Sequence, residues 1–207
     1  MNTIYVEGAS TAAGQGGGQE RQYSWPRRVQ AGIRGYYVDN RAVDGHALKA
    51  INRKWEADVA NGLGRGVVRI LSVGQNEARI NPDLKRPMFT LQSFAGQLAL
   101  FSEHTHKANM LPIYVGPQPV DETKNNPTPQ GWYIENDLTE EYAAIIQEQA
   151  KRDGAPYVDV AKIFNERPLE SVLDDDGRHP NAAGHALIAH QVVCELAIVG
   201  IQTSLTA

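Results

Sequence analysis

The sequence predicts an α/β fold built on a parallel sheet, and three observations carry that expectation. Short runs rich in β-branched and apolar residues recur at Thr3–Val6, Gly35–Val38, Val67–Val73, Met110–Val115 and Tyr157–Val160. Several are apolar almost throughout, as strands are when both faces of a sheet are covered. Between them lie segments of helical periodicity, and strands alternating with helices give a parallel sheet with right-handed crossovers. No repeat or linker composition breaks the alternation within 207 residues, which suits one domain over residues 1–207.

Taken in order, the first strand leads to a glycine-containing stretch. Ser24-Trp25-Pro26 then offers a capping serine and an early proline, a suitable helix start. After the second strand, Leu48, Ile51, Trp55 and Val59 form one apolar stripe, and after the third Leu91, Phe94, Leu98 and Phe101 form another. Leu138, Tyr142, Ile146 and Ala150 make a third, and Ile188, Val192, Leu196 and Val199 mark the last helix. Two connections are long. The segment 117–137, rich in Pro, Asn and Thr and carrying Trp132 and Tyr133, is expected to be a lid or binding segment; 77–87, with Arg79 and Lys85, would form the facing wall.

Composition narrows the function. Apolar residues make up 42% and charged residues 21%, as in ordinary globular proteins, and the net charge is -4. That balance, with no long basic run, argues against nucleic acid or an anionic membrane as the main partner. No apolar stretch approaches the roughly 20 residues needed to span a bilayer. The single Cys194 excludes an internal disulfide and is expected in the core of the last helix. A strand begins almost at once, so no signal peptide is expected and the chain reads as cytoplasmic.

The chemistry-bearing residues lie at strand ends and before the last helix. In open parallel sheets ligands sit outside the carboxyl ends of the strands. Ser10 follows the first strand within Gly8-Ala9-Ser10-Thr11. Far along the chain, Asp176-Gly177-Arg178-His179-Pro180-Asn181 places a carboxylate three residues before an imidazole. A carboxylate on Nδ1–H selects the tautomer whose Nε2 accepts a proton, as a serine hydrolase requires of its base. By itself such a pair reads equally well as a solvated acidic turn beside a surface histidine.

Four blocks in order make a closer comparison possible. Gly8-Ala9-Ser10-Thr11-Ala12-Ala13-Gly14 resembles the first block of the SGNH hydrolases, the GDSL esterase superfamily, usually Gly-Asp-Ser-x-Thr-x-Gly with the serine as nucleophile. Asn40-Arg41-Ala42-Val43-Asp44-Gly45 resembles the second block, whose glycine lends a backbone N–H to the oxyanion hole. Val73-Gly74-Gln75-Asn76-Glu77 is similar to the third, Gly-x-Asn-Asp, and Asp176–Asn181 to the fifth, which supplies Asp and His. The resemblance implies a flavodoxin-like three-layer α/β/α sandwich with a five-stranded parallel sheet. It further implies a triad of Ser10, Asp176 and His179, with an oxyanion hole from the N–H groups of Ser10 and Gly45 and the Asn76 amide. Two positions depart from the pattern: Ala9 and Glu77 stand where the family usually has Asp.

The expected activity is hydrolysis of carboxylic esters with short acyl groups, acetyl first, with no cofactor and no metal. The partner is a small-molecule ester, with Trp132 and Arg79 as candidate substrate-binding residues. A catalytically weak or inactive scaffold of the same fold is the alternative. Gly14-Gln15-Gly16-Gly17-Gly18 superficially suits a nucleotide loop, but no Gly-Lys-Ser/Thr follows and Gln19 breaks the dinucleotide spacing. His104 and His106, two apart in a helical segment, face different ways and are expected to be solvated; His185 and His190 are expected to be structural or exposed.

Overall fold

A computed structural model describes residues 2–14, 23–64 and 66–203. Most of the Gly14–Gly18 stretch lies outside these residues. β1 (Asn2–Gly8) runs into the single turn α1 (Ser10–Ala13). There follow α2 (Trp25–Gly32), β2 (Tyr36–Asn40), α3 (Leu48–Ala60) and β3 (Gly66–Ser72). Next come a small antiparallel hairpin of β4 (Ile80–Asn81) and β5 (Arg86–Pro87), then α4 (Leu91–Lys107) and β6 (Leu111–Val115). The chain continues with α5 (Glu122–Asn125), α6 (Asn136–Asp153), β7 (Tyr157–Val158), α7 (Val160–Asn165) and α8 (Ala182–Ile198). The main sheet has the order β2-β1-β3-β6-β7, and every neighbouring pair is parallel.

Strand periodicity divides the core into two layers. Ile4 and Val6 of β1, Val68 and Ile70 of β3 and Ile113 and Val115 of β6 face Trp25 and Val29 of α2, Phe164 of α7 and Ile188, Val192 and Leu196 of α8. Their neighbours Leu71 and Tyr114 face the other way, onto Leu48 and Ile51 of α3, Phe94, Leu98 and Phe101 of α4, and Tyr142 and Ile146 of α6. Both faces are therefore covered, which is why the strands read as unbroken apolar runs. Each such fully buried side chain contributes about 1.5–3 kcal/mol of transfer free energy. The result is the expected α/β/α sandwich.

Several boundaries differ from expectation for local reasons. The fifth strand stops at Val158, because the Asp159 side chain accepts from Lys162 N (2.9 Å) and starts α7 at Val160. β2 extends to Asn40, which pairs with Val6. Ser24 occupies the N-cap of α2 without a side-chain bond; Trp25 N instead donates to His185 Nδ1 at 3.3 Å. The stripes overran at their ends, since Val59 is exposed and Val199 lies just past α8. Cys194 is half-buried on α8, not in the core. His104 is largely covered, 3.4 Å from Glu56, whereas His106 is half-exposed. Among the described residues no helix is long and apolar enough to cross a membrane.

Candidate active site

At the carboxyl edge of the sheet, Gly8 allows α1 to lie directly on β3. A Cβ there would come within 2.7 Å of Ser72 O and 2.8 Å of Ala12 Cβ. Ala9 is the N-cap of α1, with extended dihedrals and no side-chain cap bond, and Ser10 is its first residue. The Ser10 N–H therefore has no acceptor within the helix. The side chain is nearly buried.

The opposite wall is the loop before α8. Asp174 N donates to His179 O, and Gly177 N to Asp174 O, both at 2.8 Å, folding the segment into a closed turn. Within it, Asp176 Oδ1 accepts from Arg178 N and His179 N, each at 2.9 Å. Its Oδ2 lies 2.6 Å from His179 Nδ1, and His179 Nε2 lies 2.9 Å from Ser10 Oγ. With Nδ1–H donated to the carboxylate, Nε2 is left to accept from the Ser10 hydroxyl. Partial burial works to raise the Asp176 pKa. The hydrogen bonds from the His179 ring and the two backbone N–H groups outweigh it and hold the carboxyl well below its ordinary range.

The long 117–137 segment braces this turn from outside. Asp121 N donates to Gly177 O and Asn125 Nδ2 to Asp176 O, both at 2.8 Å. Gly177 has φ +62°, and a Cβ there would meet Asn125 Nδ2, Asp121 Cβ and Lys124 Cβ at 3.0 Å. With Val120, Asn125, Thr128 and Ile134 buried, the expected lid is a packed support. On the inner side, Asn181 caps α8 through Ala183 N and Gly184 N, and its Nδ2 holds Leu173 O at 3.0 Å.

The third wall carries the two expected oxyanion elements. Gly45 sits in a turn at φ +73°, in a loop held beside the end of β1 by Val43 N donating to Gly8 O (3.1 Å). Asn76 Nδ2 donates to His46 O at 2.9 Å, which uses one of its two amide hydrogens and leaves the second. Glu77 ties both elements together. Its Oε1 accepts from Leu48 N (2.5 Å), the first residue of α3, and its Oε2 from Gly74 N (2.9 Å). Burial raises its pKa against the lowering effect of those N–H groups. Glutamate here thus reaches from the Asn76 turn to the segment that follows Gly45.

Residues 7–187 match the model of the GDSL-like lipase/acylhydrolase family. The chain belongs to that family.

Solved structures agree on the fold of this family member. A lipase/acylhydrolase from Enterococcus faecalis superposes with TM-score 0.75 at 18% identity, with 100% of both chains covered. An acetyl xylan esterase from Geobacillus stearothermophilus gives TM-score 0.73 at 18% identity, over 99% of this chain and 97% of that one. A psychrotrophic esterase from Pseudoalteromonas sp., inhibited by monoethylphosphonate, gives 0.70 at 14% identity, over 96% and 98%. No curated protein is a significant sequence match.

One residue of this acylhydrolase-family site escaped the sequence reading. Gln118, nearly fully buried after β6, donates from Nε2 to Thr11 Oγ1 (2.9 Å) and to Arg178 O (3.1 Å). It also accepts at its carbonyl from Gln75 Nε2 (3.4 Å), so it joins all three walls. Its only sequence signal was its place just past a strand's carboxyl end. Trp132 lies elsewhere, lining a groove of about 430 Å³ with Leu84, Met88 and Phe89, and does not line the small cavity at Ser10. Arg79 stands three residues past Asn76 and is half-buried. No group of three or more His, Cys, Asp or Glu able to hold a metal occurs among the described residues.

Proposed function

We propose that this protein is a serine esterase acting on short-chain carboxylic esters. Ser10 Oγ attacks the ester carbonyl while its proton passes to His179 Nε2. The Asp176 carboxylate, on Nδ1, orients the ring and stabilises the imidazolium that forms. Negative charge developing on the former carbonyl oxygen is met by the N–H groups of Ser10 and Gly45 and by the free Asn76 amide hydrogen. Collapse breaks the bond to the alcohol, which leaves with the proton from His179. Water then repeats the sequence on the acyl-enzyme and releases the acid. No cofactor takes part.

The observation that carries this reading is the unbroken chain from Ser10 Oγ through His179 to Asp176, at 2.9 and 2.6 Å. The cavity beside Ser10 is small, about 20 Å³, which suits a short acyl group such as acetyl. The test is a series of aryl esters of increasing acyl length assayed against wild type and Ser10→Ala. Turnover confined to the shortest acyl groups and absent from Ser10→Ala is expected. Serine-independent turnover, or none on any ester, overturns the proposal.

A further inference from the structure

Just past β6 the chain forms a strut that is fixed at both ends. Gly116 N donates to Val158 O at 2.9 Å, and a Cβ on Gly116 would come within 2.5 Å of the Tyr157 hydroxyl. Further on, Val120 is held twice by the Asn136 amide. Its N–H donates to Oδ1 and its carbonyl accepts from Nδ2, both at 2.9 Å. Between these anchors Pro117 packs against Gly74, where a Cβ would meet its Cγ at 3.1 Å. Gln118 stands in the middle of the strut, nearly fully buried, on the lining of the cavity beside Ser10.

The two groups that must meet in that cavity are less firmly held by their own elements. α1, which carries Ser10, is a single turn without a side-chain cap, and one isolated turn is not stable by itself. His179 lies on the irregular turn before α8. The 2.9 Å approach of Ser10 Oγ to His179 Nε2 therefore depends on contacts from outside both segments. Among the described residues Gln118 is the one side chain, besides His179 itself, that hydrogen-bonds to both. Its Nε2 donates to Thr11 Oγ1 at 2.9 Å, next to the nucleophile, and to Arg178 O at 3.1 Å, next to the base. The orientation of the amide is forced, because a carbonyl oxygen can only accept and the NH2 end must face it. Both amide hydrogens are then spent on the two walls.

We propose that Gln118 is a positioning residue: by tying Thr11 to the Arg178 carbonyl, it sets the distance between Ser10 Oγ and His179 Nε2. It acts through these two partners. The inference rests on the ester-hydrolase reading of the same site and adds to it the residue that aligns nucleophile and base.

The test compares Gln118→Met, which keeps the length of the side chain and removes both donors, with Thr11→Val, Thr11→Ser and the double variant Gln118→Met/Thr11→Val. Gln149→Met is the control, since it removes another buried glutamine hydrogen bond, to Asp153 on α6 at 3.0 Å, away from Ser10. Both Met variants should melt lower than wild type. Only Gln118→Met is expected to lose kcat, by about ten- to a hundredfold, as for a misplaced reacting group, with KM little changed. Thr11→Val should lose part of this and Thr11→Ser, which keeps the hydroxyl, should recover it. The double variant should lose little more than Gln118→Met alone, because the two changes break the same tie. A crystal structure of Gln118→Met supplies a readout free of turnover: Ser10 Oγ and His179 Nε2 should move beyond hydrogen-bond reach, past about 3.5 Å. A retained Ser10–His179 contact with wild-type kcat would overturn the inference and leave the hydrolase reading intact. Equal kcat losses in Gln149→Met, or additive losses in the double variant, would also overturn it. No Ser10-dependent turnover in the wild type would remove the hydrolase reading, and the distance in Gln118→Met would then decide the role of Gln118 by itself.

Discussion

Replacing Glu77 by Gln probes how this chain holds its proposed oxyanion elements, Gly45 and Asn76, with a residue that departs from the family pattern. The wild-type carboxylate accepts one N–H on each oxygen, from Leu48 and from Gly74. Leu48 opens α3 behind Ala47, which has no side-chain cap bond, so Glu77 caps that helix from outside. A glutamine fits the space but has one acceptor oxygen and turns a donor towards the other N–H. Losing one bond costs about 1 kcal/mol, and orphaning a buried N–H a further 1–3, so a loss of about 2–4 kcal/mol is expected. For a chain of this size that lowers Tm by roughly 4–16 °C. Loosening Gly45 and Asn76 should also lower kcat, by up to the roughly 10²–10³ of a lost oxyanion donor. The pH dependence has a definite sign. Because burial raises the folded pKa above the unfolded value near about 4.3, the stability that this proton linkage contributes is fully present below that pH. It is lost as pH rises through the folded pKa, and the glutamine variant lacks the slope. Paired denaturant titrations from acid to neutral pH measure it. A Glu77→Gln protein within about 0.5 kcal/mol of wild type at every pH, with full kcat, would refute the reasoning.

Three further outcomes follow from the same geometry. Asp176→Asn keeps an oxygen for Arg178 N and His179 N but turns an amide donor towards His179 Nδ1, favouring the wrong tautomer; kcat should fall by about 10⁴ while the protein stays folded, and Asn substitutions at Asp174 and Asp175 serve as milder controls. Asn76→Ala should lose about 10²–10³ in kcat in steady-state assays while its melting curve remains cooperative. His185, buried with its Nδ1 accepting from Trp25 N, has its pKa pushed down to about 4 by burial and then by the charges of Arg28 and His179. Its contribution is present above the unfolded value near about 6.5 and fades as pH falls towards 4, up to about 3 kcal/mol; thermal melts across that window should show a slope that His185→Gln flattens.

The sheet was legible because its strands are buried on both faces, so Ile4–Val6 and Val68–Leu71 announce themselves without tertiary knowledge. Ser10, Asp176 and His179 were legible as a set because the spacing within Asp176–His179 is local and Ser10 ends a strand. The supports were not. Gln118 acts through contacts to Thr11 and Arg178, distant in sequence, and nothing in its immediate neighbours signals them. The 117–137 segment looked like a lid from its length and composition, yet Asp121 and Asn125 hold the Asp176–Gly177 backbone. Asp159 ended the last strand early because a side-chain cap competes with strand pairing, an outcome decided by one hydrogen bond. His185 replaces Ser24 as the partner of the α2 N-terminus, a contact spanning 160 positions.

The central claim is that His179 activates Ser10, and covalent capture tests it most directly. A fluorophosphonate reacts with a serine hydroxyl whose proton is being withdrawn, so wild-type protein should gain a single adduct. Peptide mapping should place it on Ser10, with labelling strongly slowed in His179→Ala and absent in Ser10→Ala. An adduct on another serine, or labelling of Ser10 at an unchanged rate in His179→Ala, would contradict the account.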